Sequence, residues 1–159
     1  MEINNNKVPS KVYKTIHLRT LDATADTNRI NFKFDGLQLI QIKKPSILKV
    51  NSVSIGGEGH TDIADNNITV KIDNIKYNRL HYFNSDNDSI PTIANFDYST
   101  KNTIQNDNPM LVIEPQDINT ISLKIFTDDK GTGNPSHGLI KNSKSIELFL
   151  CLSIEEIDE

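Results

Sequence analysis

Apolar and polar residues alternate along most of the chain, which is the period expected of β-strands with one face in water. The alternation is clearest in six stretches, each followed by a polar or turn-forming segment. These stretches are KVYKTIHLRTL, RINFKF, ILKVNSVSI, NNITVKIDNI, INTISLKIF and SIELFLCLSI. The last stretch has one uniformly apolar face, formed by Ile146, Leu148, Leu150, Leu152 and Ile154. Its other face carries Phe149 and Cys151, so we expect this strand to be buried on both sides.

Weaker strand patterns and turns complete the reading of the chain. LQLIQI, KYNRLHYF and MLVIEP are shorter strand candidates, and the irregular segment 90–109 holds one short strand around Phe96. Asp35-Gly36 predicts a tight turn between two apolar runs, whereas GGEGH and TDDKGTGNPSHG are polar loops. No long helical period interrupts the series. The pattern predicts an all-β, antiparallel β-sandwich or barrel, and the unequal loops favour a single jelly roll of about eight strands.

The domain organisation follows from the same pattern. At 159 residues the chain fits one domain. Residues 1–10 are polar and predict a flexible N-terminal arm, and residues 11–157 predict the single jelly-roll domain. The first residues lack the apolar core of a secretory signal, and no run approaches the roughly 18 apolar residues of a membrane span.

Composition and charge narrow the possible partners. The chain has 22 Ile and 19 Asn, a combination that favours many strands joined by many turns. The net charge is −4, with both signs interspersed, so the basic stripe of a nucleic-acid binder is missing. Cys151 is the only cysteine, which excludes an intrachain disulfide and fits a reducing compartment. Its apolar strand predicts a buried, unreactive thiol.

Metal-binding patterns are weak. The four histidines, His17, His60, His81 and His137, do not share a metal-ligand spacing. In the loop NSDNDS the carboxylates of Asp86 and Asp88 offer oxygen ligands for calcium. An EF-hand needs glycine at its sixth position and glutamate at its twelfth. Counted from Ser85 these positions hold Ile90 and Phe96, and counted from Asp86 they hold Pro91 and Asp97. The EF-hand pattern therefore fails, and a less regular calcium site is the alternative that remains. We predict no metal or cofactor site.

Catalytic and sugar-binding patterns are equally unspecific. A carboxylate pair for glycoside hydrolysis could be drawn from several acids, but no spacing selects two of them. These acids are Glu58, Asp62, Glu114 and Glu147. No serine lies in a G-x-S-x-G turn, and GGEGH lacks the lysine and the helix of a phosphate loop. Tyr77, Tyr82 and Phe83 could form a stacking platform for a sugar, although the sequence favours core packing for them and lacks tryptophan, the usual anchor of such platforms. We therefore predict no catalytic residues.

The C-terminal third has a recognisable order of elements. It reads MLVIEPQDINTISLKIFTDDKGT, a variable loop, and SIELFLCLSIEE. This part resembles the last strands of small jelly-roll proteins of large DNA viruses, virophages and polinton-like viruses. In those proteins a proline-led turn precedes an alternating strand that ends in D-x-x-G, and a terminal strand follows. ILKVNSVSI and NNITVKI are similar to their middle strands, so the resemblance covers roughly residues 49–156.

The resemblance implies a viral structural protein. It implies a minor capsid or penton-type subunit that is not an enzyme and that assembles symmetrically with itself and with other capsid proteins. The N-terminal arm would then reach an adjacent subunit, and the protein would belong to a virion assembled in the host cytoplasm. Nucleic acid and membrane are not expected as partners.

Two other functional classes stay open. A carbohydrate- or receptor-binding β-sandwich, such as a fibre head, would need Tyr77, Tyr82 or Phe83 to face solvent. An enzyme of the cupin type would need a cluster of histidines around a metal, and the sequence has none.

Overall fold

The structure is a computed structural model. It describes residues 13–58, 66–78, 90–97, 110–129, 135–141 and 143–157. The predicted arm, residues 1–10, lies outside these ranges. The described residues form an all-β, antiparallel structure, as the alternation predicts. One short 3₁₀ turn, Thr20–Asp22, follows the first strand, and no helix in the described ranges is long and apolar enough to cross a membrane.

The described ranges contain fifteen strands, numbered here in chain order. They are β1 (Tyr13–Arg19), β2 (Thr24–Ala25), β3 (Asn31–Phe34), β4 (Ile40–Ile42), β5 (Ser46–Gly56), β6 (Asn66–Ile72), β7 (Tyr77–Asn78), β8 (Thr92–Asp97), β9 (Leu111–Ile113), β10 (Gln116–Ile118), β11 (Ile121–Asp129), β12 (Pro135–His137), β13 (Ile140–Lys141), β14 (Lys144–Ser145) and β15 (Glu147–Glu156).

Two larger sheets are built from these strands. Sheet A has the order β1-β15-β5-β9-β7, and sheet B has the order β2-β3-β11-β6-β8, with β12 also paired to β11. Two short ribbons, β10-β4 and β13-β14, accompany them. Several strands that pair with each other are far apart in sequence: β15 pairs with β1 over seven residues and with β5 over ten. β1 is therefore joined to the rest of sheet A only through the last strand of the chain.

One hydrophobic core joins the two sheets. It takes the inward residues of each alternating strand, such as Ile16 and Leu18 of β1 and Phe32 and Phe34 of β3. The predicted apolar face of β15, from Ile146 to Ile154, is buried in it throughout. Residues of both sheets belong to this single cluster, an arrangement consistent with a β-sandwich.

The prediction that β15 is buried on both sides is wrong. Phe149 keeps 42% of its surface exposed, and Cys151 is half-buried. Burial on both sides occurs instead in sheet B, where Phe126 on the outer side of β11 is 1% exposed. Alternation shows which residues share a face, but it does not show whether other parts of the chain cover that face.

Two turn predictions are also refined. Gly36 has a positive φ of 72°, which agrees with a turn at Asp35-Gly36. The strands on either side do not form a hairpin, because β3 pairs with β2 and β11 while β4 pairs with β10. Part of the predicted loop TDDKGTGNPSHG is strand, since β11 continues to Asp129 and β12 pairs back onto it.

Candidate interaction surface

β1 forms one edge of sheet A. Its seven residues pair with β15, and no strand of the described ranges pairs with its other side. The alternation buries Ile16 and Leu18 and leaves Thr15, His17 and Arg19 exposed. An edge strand presents unpaired backbone N–H and C=O groups along its free side. β1 therefore offers a row of hydrogen-bonding groups next to exposed side chains.

A hollow of about 690 Å³ lies along this edge, a volume typical of ligand sites. We call it the β1–β4 hollow. It is lined by the β1 residues Lys14, Thr15, Ile16 and His17, by residues 37–41, and by Lys43 and Glu156. β4, which contributes to the second wall, pairs with β10 and has no second partner among the described strands. The hollow is thus bordered by two strands that each keep a free side.

The β1–β4 hollow combines an apolar floor with a basic rim. Leu37 and Ile40 are half-buried and pack against the hydrophobic core, while Leu39 is 52% exposed. The lining has two lysines, Lys14 and Lys43, against one acid, so its net charge is +1 with the histidine neutral. Both lysines are exposed.

A smaller hollow of about 230 Å³ lies at the other end of β1. Two exposed apolar side chains line it, Leu21 from the 3₁₀ turn at 69% exposure and Phe149 from β15. Arg19 at its rim forms an ion pair with Asp22, with 2.8 Å between Nε and Oδ2. A second hydrogen bond of 3.2 Å joins the same two side chains. The pair spans the 3₁₀ turn that presents Leu21.

His17 links the two hollows. It lines the β1–β4 hollow, and its ring centre lies 6.0 Å from that of Phe149, at an interplanar angle of 50°. Four large apolar residues of the described ranges are exposed, and three of them lie along this side. We define the β1 surface by its exposed members, which are Thr15, His17, Arg19, Leu21, Leu39 and Phe149. Exposed apolar residues that gather on one side of a molecule among polar ones favour a protein interaction site there.

A partly buried polar network holds the strand that carries Phe149. The Arg29 guanidinium lies 3.0 Å from Oε1 of Glu147 and donates to the carbonyl oxygens of Leu139 and Ile146, at 2.9 and 3.1 Å. The hydroxyl of Thr20 donates to the other carboxylate oxygen of Glu147 and accepts a hydrogen bond of 2.9 Å from the backbone N–H of Leu148. Both oxygens of Glu147 therefore have partners, and the network joins the end of β1, the start of β15 and the turn before β3.

Arg29 has an unusual backbone for its residue type. Its φ is 53°, in the left-handed region that non-glycine residues rarely adopt. Its backbone also takes part in the contacts, since its carbonyl oxygen accepts a hydrogen bond of 2.8 Å from Leu139. Its guanidinium lies 5.4 Å above the ring of Phe32. The many contacts of this one residue hold a conformation that costs about 1 kcal/mol or more.

Asp26 organises the turn that places Arg29. Its carboxylate accepts hydrogen bonds from the backbone N–H groups of Ile30 and Asn31, at 2.8 and 3.1 Å, and from Asn31 Nδ2 at 2.8 Å. Desolvation acts to raise the pKa of Asp26, but these hydrogen bonds outweigh it and lower the pKa from its ordinary value of 3.8. The turn is therefore most stable with Asp26 ionised.

The histidines and acids singled out from the sequence lie at separate places in the described ranges or fall outside them. No group of three or more His, Cys, Asp or Glu side chains there could hold a metal ion. His17 lies on the β1 surface, and Glu58 and Glu114 are exposed, whereas Glu147 is held by Arg29 and Thr20. His60, His81, Asp62 and the calcium candidates Asp86 and Asp88 lie outside the described residues, as does the side chain of His137.

The proposed sugar platform is only partly described. Tyr77 is half-buried and packs against the hydrophobic core, so it has a structural role. Tyr82 and Phe83 lie outside the described residues. The platform therefore has no exposed aromatic member in the part of the chain that the structure describes.

The β1 surface itself was not predicted from the sequence. Two signals point to it in retrospect. Leu21 follows β1 directly although the chain turns there, and Phe149 lies on the polar side of an otherwise regular strand. Both are large apolar residues at positions where alternation favours polar ones.

Comparison with known proteins gave no matching protein family, no matching curated protein and no matching solved structure. The resemblance to viral jelly-roll proteins therefore stands on the residues quoted for it, and the function is argued from the fold and the β1 surface.

Proposed function

We propose that the protein is a non-enzymatic structural subunit of a virion, of the minor capsid or penton type, which works by assembling with copies of itself and with other capsid proteins. The observation that carries the proposal is the β1 surface, where three exposed large apolar side chains lie along one sheet edge. An assembling subunit would bury such residues against its neighbours.

The fold we propose for this role is a single jelly roll. Eight strands account for it, four in each sheet: β1, β15, β5 and β9 opposite β3, β11, β6 and β8. Along the chain these eight strands alternate between the two sheets, except that β6 and β8 are successive neighbours in sheet B. This succession is the one expected of two Greek keys wound into eight strands, an architecture that viral capsid domains use.

Symmetry explains how one surface could build a shell. In a ring, each subunit contacts the next through two different patches, and the contact closes after a fixed number of copies. The β1 surface would supply one of these patches. Assembly in the host cytoplasm fits a chain whose only cysteine, Cys151, cannot form an intrachain disulfide.

Electron microscopy of the purified full-length protein tests this proposal. We expect class averages of negatively stained particles to show closed rings with rotational symmetry. Single, featureless particles of the size of one chain at all concentrations would contradict it. A glycan array run on the same sample covers the other functional class, because selective glycan binding by such single particles would favour a binding module.

A further inference from the structure

We propose that His17 makes assembly through the β1 surface sensitive to pH: copies associate while its imidazole is neutral and separate as it becomes protonated. This switch rests on the proposed function, because it requires the β1 surface to be buried between copies of the chain. It goes beyond that function by naming the residue and the condition that release the contact.

His17 lies between the two hollows of the β1 surface. Its ring centre is 6.0 Å from that of Phe149, whose side chain lines the smaller hollow. His17 also lines the β1–β4 hollow together with Leu39, which is 52% exposed. A neighbouring copy that covers both of these apolar side chains therefore also covers the imidazole that links the two hollows.

The charge of the imidazole decides whether this burial is favourable. A histidine side chain ordinarily changes its charge near pH 6.5, closer to neutral pH than the other side chains do. A neutral imidazole loses little when it is packed against apolar groups and its N–H group keeps a partner. An imidazolium loses much more hydration free energy unless an anion pairs with it. Protonation of His17 therefore opposes the contact that its neutral form allows.

The groups beside His17 in sheet A do not favour an imidazolium. Arg19 lies two residues along β1 on the same face, and the Asp22 carboxylate accepts two hydrogen bonds from it, at 2.8 and 3.2 Å. On β15, Cys151 lies opposite His17, and a cysteine thiol ordinarily stays uncharged at and below neutral pH. Phe149 is apolar. This side of the imidazole is thus apolar, neutral or already charge-paired.

The β1–β4 hollow on the other side is basic. Lys14 and Lys43 line it together with His17, and both lysines are exposed. Glu156 is the one acid of the lining, so two lysines against one acid give a net charge of +1 with His17 neutral and +2 with His17 protonated. Like charges repel more strongly where water is excluded. Protonation of His17 therefore raises the free energy of a contact that closes this hollow.

The size of the effect follows from the neutral fraction of an ordinary histidine. That fraction falls from about 0.9 at pH 7.5 to about 0.1 at pH 5.5. A contact that admits only the neutral form loses association strength in the same proportion. We expect each contact through the β1 surface to be about tenfold weaker at pH 5.5 than at pH 7.5.

Sedimentation velocity of the full-length protein, run as a concentration series at both pH values, tests the switch. We expect about tenfold weaker association per contact at pH 5.5, with the same far-ultraviolet circular dichroism at both. Equal or tighter association at pH 5.5 would overturn the switch, as would dissociation that is accompanied by unfolding. These results leave the shell proposal intact, whereas a chain that is monomeric at pH 7.5 overturns both.

Variants of the four histidines assign the proton to one residue. His17→Gln removes the titrating group, so the ratio of association at the two pH values should fall from about ten to about one. The single variants His60→Gln, His81→Gln and His137→Gln are the matched controls and should keep the wild-type ratio. A ratio that persists in His17→Gln, or that disappears in a control, would assign the proton elsewhere and overturn the switch.

Proton NMR of the imidazole groups gives a second readout that does not need an associating variant. The His17 signal is the one missing from the spectrum of His17→Gln. Because assembly favours the neutral form, this signal should titrate at a lower pH in concentrated wild-type protein than in dilute protein. A titration midpoint that stays equal or rises with concentration would contradict the role of His17.

Discussion

Single residues at the Arg29 network determine how the two sheets are joined. Arg29 and Glu147 are each about one-fifth exposed, so their charges interact more strongly than those of a surface pair. We predict that Arg29→Met lowers the free energy of unfolding by about 3 kcal/mol, because it leaves the carboxylate of Glu147 without its cation. Urea unfolding followed by circular dichroism measures this change.

A double-mutant cycle separates the ion pair from packing. Combining Arg29→Met with Glu147→Met should cost less than the sum of the single changes by about 1 kcal/mol or more, since removal of both charges leaves no unpaired group. Strictly additive single effects would show that the two side chains do not interact.

Gly138 is a second position where a single residue affects stability, because there is no room for a Cβ atom. A Cβ there would overlap the backbone carbonyl oxygens of Asn28 and Arg29, and backbone cannot move aside as a flexible side chain does. We predict that Gly138→Ala destabilises the protein by about 2 kcal/mol. Gly56→Ala is the control, because a Cβ at Gly56 meets nothing within 4 Å. Equal thermal midpoints for both variants would contradict the packing of this turn.

Asp26 makes part of the stability depend on pH. Its pKa is lowered in the folded state, so its contribution is present above the ordinary pKa of an aspartate and is lost as the pH falls through the folded value. We predict that Asp26→Ala costs about 1 kcal/mol at neutral pH and that the difference from wild type shrinks below about pH 4. Urea titrations at several pH values measure it, and a difference that stays constant down to pH 2 would rule out this role.

At the scale of elements, the two faces of β15 have different roles. Leu150 is fully buried in the core, whereas its neighbour Phe149 is 42% exposed. We predict that Leu150→Ala costs about 3 kcal/mol, while Phe149→Ala changes stability by less than about 1 kcal/mol. Chemical denaturation of the two variants measures the contrast, and similar losses would mean that the outer face of β15 is also part of the core.

Cys151 reports on the same outer face. It lies opposite His17 in the pairing with β1 and is half-buried. We predict that a thiol reagent labels it in the native protein, at a rate below that in urea. Labelling that waits for global unfolding would restore the burial on both sides that the sequence pattern predicted.

Alternation predicts which residues of a strand share a face, but it does not predict how the strands are arranged. The period of two placed Ile68, Val70 and Ile72 of β6 on one buried face correctly, and the same holds for β11 and β15. It did not predict which strands are neighbours, because β4 pairs with β10 through contacts between distant parts of the chain. The left-handed backbone of Arg29 and the exposure of Phe149 depend on tertiary contacts, which no local pattern contains.

At the scale of the whole molecule, the β1 surface is the feature on which the proposed function depends. No group of three or more His, Cys, Asp or Glu side chains in the described residues could hold a metal ion, and three of the four exposed large apolar side chains there lie along β1. A variant with Leu21→Ser and Phe149→Ser should keep its fold, because both side chains lie outside the hydrophobic core, but it should lose self-association. Met110→Ser is the matched control, since Met110 is the fourth exposed large apolar residue and does not line either hollow.

The native mass of the full-length protein tests the central claim most directly. Light scattering across a concentration series should give a discrete oligomer, a trimer or a pentamer, for the wild type and for Met110→Ser. The Leu21→Ser, Phe149→Ser variant should have the mass of one chain. A wild-type protein that stays monomeric at every concentration would contradict self-assembly through the β1 surface.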